Sequence, residues 1–308
     1  MASFTAKDVQ LLRERTGVGM MDCKKALTEA DGDMEKAIDI LREKGLAAAA
    51  KKSGRIAAEG LVYAYVDADK KVGSMVEVNS ETDFVAKNQE FKDFVKGVAQ
   101  VVTEKNPVDL QALLDADFGN GLTVAEALRE KILVIGENLN IRRFARYEGN
   151  VVSYVHGEGR IGVMVKFDAD ANVNPDVLNE CGKDVAMQIA ALNPLYLDKD
   201  SVPQDDLDKE KEILIAQIKN DPKNANKPEQ IIQKMVEGRL GKFYENNCLL
   251  NQAFVKNGDI TVGQYVAQMS EKSGGTFKVA EFVRFEKGEG LQKREDNFAD
   301  EVASMIKN

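Results

Sequence analysis

Apolar residues along this chain recur at helical spacing, then in strict alternation, then at helical spacing again. Thr5-Ala6-Lys7-Asp8 has the form of a capping box with Asp in place of Glu, and Val9, Leu12 and the flanking Leu11 follow it as an apolar stripe. Thr16-Gly17-Val18-Gly19 breaks that helix. A second helix runs through Met20, Met21, Cys23, Ala26 and Leu27 to Asp31-Gly32. Asp33 then caps a third, with Ala37, Ile38 and Leu41 turned inward and Gly45 as its C-terminal stop. Three helices this short bury little surface, so the unit is expected to be marginally stable. Met20 and Met21 cannot both face inward, which leaves a soft methionine contact or rim packing. LAAAAKKSGR, from Leu46 to Arg55, reads as a helical or flexible linker and a domain boundary.

The alternating segments repeat. Glu59-Gly60 recurs as Glu148-Gly149, 89 residues later, and at that offset Val62 falls on Val151, Tyr65 on Tyr154, Gly73 on Gly162, Met75 on Met164 and Val76 on Val165. Each copy predicts a β-hairpin followed by a helix. A lone hairpin is unstable in water, so each copy is expected to add a third strand and to cover one sheet face with helices. In the first copy Phe91, Phe94, Val95, Val98 and Val102 keep helical spacing, and Val124, Ala127, Leu128 and Ile132 start another helix. Between about Ser201 and Phe243 two helices with a narrow apolar stripe predict an antiparallel coiled coil: Leu207, Leu214 and Ile218 on one, Ile231, Ile232, Met235, Val236, Leu240 and Phe243 on the other. Thr276–Glu286 alternates as a strand, and Phe298, Val302 and Met305 predict a last helix.

Asn79-Ser80-Glu81-Thr82-Asp83-Phe84-Val85-Ala86-Lys87-Asn88 sits between alternation and helix, at a strand-to-helix turn. Two readings stand for it. In one, Thr82 or Asp83 caps the helix and Phe84 packs inward on the face of Phe91. In the other, the turn pushes the Phe84 ring, with a charge beside it, into another protein. The second copy carries Asp168-Ala169-Asp170-Ala171-Asn172 here, so the subdomain fold does not require the ring. Asp67 of the first copy corresponds to His156 of the second, at a hairpin turn; His156 is the chain's single histidine. It is either inert surface or a polar contact to a partner.

Composition narrows the chemistry. The 308 residues suffice for two domains. Lys and Arg number 42 against 51 Asp and Glu, a net charge of −9, which argues against nucleic acid or an anionic membrane as the main partner. No apolar run is long enough to span a bilayer, and MASFTAKD lacks the basic and apolar regions of a secretory signal. Cys23, Cys181 and Cys248 are odd in number and far apart, which points to a reducing cytosol rather than a disulfide framework or a zinc site. The sequence contains no GxxxxGK[ST], HExxH or CxxC motif. Any Cys-His or Ser-His chemistry would have to use His156, with Cys181 or Ser153 as nucleophile and no signature around either.

The stretches Leu12–Leu27 (LRERTGVGMMDCKKAL), Thr82–Lys87 (TDFVAK), Ile135–Arg143 (IGENLNIRR), Lys234–Arg239 (KMVEGR) and Arg284–Gly290 (RFEKGEG) resemble the bacterial translation elongation factor Ts family. The resemblance runs from near Thr5 to near Met305 in the family's order; the segments Asn106–Thr123 and Asp170–Asn179 are longer than it implies. It implies an α+β fold: a three-helix, ubiquitin-associated-like domain over 1–45, a linker over 46–55, a core N-subdomain over 56–146 and a core C-subdomain over 147–200 and 244–290. The coiled coil over 201–243 is inserted, and a C-terminal helix module covers 291–308. The implied activity is guanine-nucleotide exchange on elongation factor Tu in the cytoplasm. Thr82, Asp83, Phe84 and Val85 would disturb the partner's Mg²⁺ site, and Arg13, Met20, Met21 and His156 would bind the partner. The factor would need no metal, cofactor or catalytic residue of its own and would act on the GDP and Mg²⁺ held by the partner, in a 1:1 or 2:2 complex. Two rival classes remain at this point: an adaptor binding through its N-terminal helices, and a hydrolase using His156.

Overall fold

The computed structural model describes residues 4–224 and 227–293. Its chain opens with three helices, α1 (Ala6–Thr16), α2 (Met20–Glu29) and α3 (Met34–Lys52). The capping box forms as expected: the Thr5 hydroxyl accepts from Asp8 N–H, and Asp8 Oδ2 accepts from Thr5 N–H at 2.7 Å. Gly17, at φ 69°, closes α1 in the left-handed region. Val9 and Leu12, three apart, share the buried face, whereas Leu11 lies off it and is 48% exposed instead of joining the stripe.

The expected stop at Gly45 is absent. Helix α3 continues to Lys52, because Leu46–Lys52 is built of strong helix formers and Gly45 serves packing. A Cβ at Gly45 would lie 3.6 Å from the main-chain oxygen of Arg129, on the helix Val124–Ile135. Leu133 and Val134 of that helix also pack on the three-helix core, so the small unit is supplemented from outside.

Strands β1 (Glu59–Asp67) and β2 (Val72–Ser80) form the first hairpin. Then come α4 (Asp83–Lys87), α5 (Gln89–Lys105), α6 (Leu110–Asp115), a short β3 (Asp117–Gly119) and β4 (Leu122–Thr123) hairpin, and α7 (Val124–Ile135). The long segment 106–123 is thus itself folded. Strand β5 (Asn140–Glu148) returns antiparallel to β2, giving the order β1-β2-β5. Strands β6 (Asn150–His156) and β7 (Ile161–Ala169) repeat the hairpin at the 89-residue offset, and α8 (Pro175–Leu192) packs on them. Helices α9 (Gln204–Asn220) and α10 (Glu229–Asn247) form a hairpin with its own apolar cluster of Leu214, Ile218, Ile232, Val236 and Leu240. Leu207 and Phe243, expected in that stripe, are half-buried outside this cluster; the Phe243 ring packs instead near Tyr196 and Tyr244. The chain re-enters through β8 (Ala253–Phe254), β9 (Asn257–Thr261), α11 (Val262–Lys272) and β10 (Phe277–Glu286), which supplies the third strand in the order β10-β7-β6. The helix expected on Phe298, Val302 and Met305 lies outside the described residues.

The repeat explains how the sheets meet. A Cβ at Gly73 would fall 2.5 Å from Val151 Cγ1, and one at Gly162 would fall 2.4 Å from Val62 Cγ1 and 2.7 Å from Met75 Sδ. Val62, Met75 and Met164 are fully buried in this seam. Of the residues identical in the two copies, Val62 and Val151, Gly73 and Gly162, and Met75 and Met164 lie where each copy touches the other, whereas Val76 and Val165 serve the separate cores. On the remaining faces α5 buries Phe91, Phe94, Val95, Val98 and Val102 against the first sheet, as their spacing predicts.

A carboxylate ties the end of β10 to the first sheet. Glu77, fully buried, accepts from Arg142 Nη1 at 3.1 Å, Arg143 Nε at 2.6 Å, Asn79 Nδ2 at 3.1 Å and Gly288 N–H at 2.8 Å. Arg143 also lies 4.3 Å over the Phe285 ring. Gly288 takes φ 68°, and a Cβ there would sit 2.2 Å from the Ala58 oxygen, so glycine is required. Replacing Glu77 with Ala removes a fully buried anion from two half-buried guanidinium groups and leaves the buried Gly288 N–H without its acceptor. The expected loss is about 3–5 kcal/mol of unfolding free energy, read by urea denaturation; a loss below about 1 kcal/mol would contradict this role.

Candidate functional site

The strand-to-helix turn after β2 is built by division of labour between neighbouring residues. Thr82 takes an extended conformation, and α4 is a single turn of five residues. Consecutive helix positions point about 100° apart, so Val85 and Phe84 diverge. Val85 is buried in the core with Phe91, while Phe84 is 79% exposed. The inward reading of Phe84 is thereby corrected: Asn88, extended at ψ 132°, separates α4 from α5, so Phe84 and Phe91 do not share one helix face. The capping reading is corrected too. Thr82 holds the N-cap position without a side-chain cap bond; its hydroxyl donates to Glu137 Oε1 at 2.6 Å. Val85, expected beside Phe84 in the contact with the partner, faces the interior.

The charges beside the ring belong to one pair. Lys87 Nζ donates to Asp83 Oδ2 at 2.7 Å, four residues along, and stands 5.8 Å from the Phe84 ring centroid. The hydrogen bond from Lys87 holds the Asp83 carboxyl below its ordinary value of 3.8 and raises Lys87 above 10.5. Glu137, which the sequence did not single out as a site residue, accepts from the N–H groups of Glu81 and Thr82, both at 3.0 Å. The signal for it is slight: one carboxylate in the short link between α7 and β5.

The other expected contacts fall in two places. Arg13 is exposed on the last turn of α1, and Met20 and Met21, 42% and 65% exposed, start α2 across the Gly17–Gly19 turn. Both methionines face solvent. His156 ends β6, exposed, with Nδ1 2.9 Å from the Tyr154 hydroxyl, above a depression lined also by Ile161, Met187 and Ala190. Cys181 is buried and burial pushes its thiol up to about 12, which removes it as a nucleophile beside His156. Cys23 and Cys248 are likewise buried and free. Among the described residues no group of three or more His, Cys, Asp or Glu is placed to hold a metal, and no helix is long and apolar enough to cross a membrane.

The family model described as Elongation factor TS matches residues 81–289, a span that opens on this turn and ends on the glutamate beside Gly288. The chain belongs to the elongation factor Ts family. Relatives of that name agree over whole lengths. Elongation factor Ts of Clostridioides difficile (strain 630) is 53% identical over 309 residues, covering 100% of both chains. The one from Clostridium perfringens (strain 13 / Type A) is 53% identical over 305 residues, 98% of this chain and 99% of its own. That of Clostridium botulinum (strain Eklund 17B / Type B) is 50% identical over 306 residues, again 98% and 99%. The match to these elongation factor Ts chains takes in the N-terminal helices as well, which precede the family model's span.

Divergent burial of adjacent residues gives a direct test. Phe84→Ala should change unfolding free energy by no more than about 0.5 kcal/mol, as at an exposed site, while Val85→Ala should lose roughly 2 kcal/mol. Urea denaturation of the two variants checks both, and a large loss for Phe84→Ala would return the ring to the core. The Asp83 carboxyl should titrate below 3.8 by NMR, and Lys87→Ala should move it upward. Because its folded value is depressed, the pair stabilises above 3.8, and this is lost as pH falls through the folded value.

Proposed function

We propose that this chain is a guanine-nucleotide exchange factor that binds GDP-bound elongation factor Tu during translation elongation in the cytoplasm, and that Phe84 is its wedge. The observation that carries the reading is an aromatic ring 79% exposed on a turn whose next residue is rooted in the core. A large apolar side chain held in water at its own protein's expense is what a contact residue looks like before its partner arrives. Asp83 and Lys87 flank the ring with a charge pair able to meet polar groups of a partner cleft.

In this reading the ring enters the GTPase domain and displaces the elements around its Mg²⁺. That ion neutralises phosphate charge and demands near-ideal octahedral geometry. Small displacements of its surroundings therefore weaken GDP binding steeply. The exchange factor does this only by binding the distorted partner better than the relaxed one, and nucleotide must weaken the exchange factor's hold by the same factor. GTP arrival then releases it. No bond is made or broken, so the chain supplies no nucleophile, base, metal or cofactor; GDP and Mg²⁺ belong to the partner.

The remaining contacts follow the same division. The three-helix, ubiquitin-associated-like unit over 1–45 docks on the GTPase domain through Arg13, Met20 and Met21, an exposed cation and two exposed soft apolar side chains. His156 faces the partner's third domain from the second sheet, and the helical hairpin over 201–243 acts as a coiled-coil arm. The C-terminal module over 291–308 adds a further contact to the GTPase domain.

Release of fluorescent GDP from elongation factor Tu tests this. The intact chain should accelerate release, and Phe84→Ala should slow the accelerated rate about thirtyfold, the equivalent of a hot-spot residue. A joint Met20→Ala, Met21→Ala variant should need a higher concentration for half-maximal acceleration at an unchanged maximum. No acceleration by the intact chain would end the exchange reading.

A further inference from the structure

We infer that Glu137 is a positioning residue for nucleotide exchange: its carboxylate sets where the Phe84 ring stands. The inference rests on the wedge reading above. Phe84 is held by almost nothing around its ring. Its side chain is 79% exposed, with Lys87 Nζ 5.8 Å from the ring centroid and a shallow depression lined by Ile56, Ala58 and Glu59 beside it. The position of the ring is therefore inherited from the backbone of residues 81–85. That backbone is fixed by Val85 in the core, by residues 81–82 on Glu137, and by the buried Ser80 hydroxyl, which donates to the Thr82 oxygen at 2.9 Å.

The second of these is a reciprocal clamp. Glu137 Oε2 accepts from Glu81 N–H and Thr82 N–H, and Oε1 accepts from the Thr82 hydroxyl. In return Glu81 Oε1 accepts from Asn138 N–H at 2.6 Å and from Arg55 Nη1 at 3.3 Å, and Asn138 Nδ2 donates to the Arg55 oxygen at 2.8 Å. Strands β2 and β5 pair as far as Asn79 and Asn140. Beyond that register the two crossed carboxylates continue the ladder where main-chain pairing stops. Hydrogen bonds to an ionised carboxylate are the strong kind, and this one takes three. Arg55 follows the last turn of α3, so the same clamp fastens the end of the N-terminal helices beside the turn.

A mobile turn would present the ring in the right place only part of the time, and the effective affinity of the wedge falls by that fraction. Losing the clamp should therefore reduce exchange through the position of the ring. A residue acting purely on stability would not distinguish whether the ring is present.

The test is GDP release from elongation factor Tu by the full chain and by Glu137→Ala, Glu137→Gln, Phe84→Ala and the Glu137→Ala, Phe84→Ala double variant, each with a melting curve. Glu137→Ala, which removes all three hydrogen bonds to the turn, should slow maximal exchange about tenfold as the fraction of correctly placed ring falls. Glu137→Gln should recover most of the rate, since its carbonyl can take both amides while the Thr82 hydroxyl turns to accept. The double variant should be no slower than Phe84→Ala alone. Parent-like exchange by folded Glu137→Ala would overturn the proposal, and so would an equal slowing in the Phe84→Ala background. If Phe84→Ala itself exchanges like the parent, the wedge reading fails and the clamp's role in exchange falls with it. Should Glu137→Ala fail to fold, Glu137→Asp keeps the charge and withdraws the carboxylate by one methylene; unchanged exchange would again overturn the proposal.

Discussion

Everything in the core is arranged around the close approach of two sheets at Gly73 and Gly162. Each glycine sits under the equivalent valine of the other copy, Val151 or Val62, at a distance where any Cβ would clash. Interiors are packed like crystals, so a methyl group inserted at either place would have to push a whole sheet. In the sheets fixed face to face at this seam, β2 and β7 are the middle strands, flanked by β1 and β5 and by β6 and β10. The turn after β2 then leaves the sheet at a defined height and direction. The equivalent exit from β7 runs into α8 with no ring attached, which leaves one copy for structure and one for contact.

Long-range charge supplies the next level of constraint. Glu77 binds the two arginines that open β5 and reaches the main chain at Gly288, so a buried anion joins segments more than two hundred positions apart. Burying a carboxylate is unfavourable unless every lone pair finds a donor. Here four donors converge on it. The arrangement specifies the geometry of the RFEKGEG stretch more than it adds stability, because any other path for that stretch would strand the charge.

How much of this was legible in the sequence depended on the range of the interaction. The capping box at Thr5, the strand alternation and the 89-residue repeat are local or self-similar, and each formed as read. The repeat also marked its seam, since identity at Val62, Gly73 and Met75 reflects mutual contact. Gly45 misled because a glycine stop and a packing glycine look alike until the neighbour at Arg129 is known. Of the candidate site, Phe84 could be placed at a turn but not in or out; that was decided by Asn88, which ends one helix and caps another. Glu77 and Glu137 were invisible for a physical reason. In a chain with 51 acidic residues, a carboxylate that accepts three hydrogen bonds across 55 positions or more is spelled like one that is merely solvated.

The last step joins the clamp to the thermodynamics of exchange. A wedge works by preferring the distorted partner, and the shift it can impose is limited to the difference in its affinity for the two states. A ring on a loose turn would follow a relaxing partner and contact both states about equally, shifting nothing however tightly it bound. A ring on a stiff turn loses contact when the partner relaxes, so rigidity converts binding energy into selectivity between states. The core residue Val85 on one side and the Glu137 carboxylate on the other give that stiffness to a helix of five residues, too short to be stable by its own hydrogen bonds. Selectivity also works in the opposite direction. The more sharply the turn discriminates against the relaxed partner, the more readily incoming nucleotide, by restoring that state, expels it.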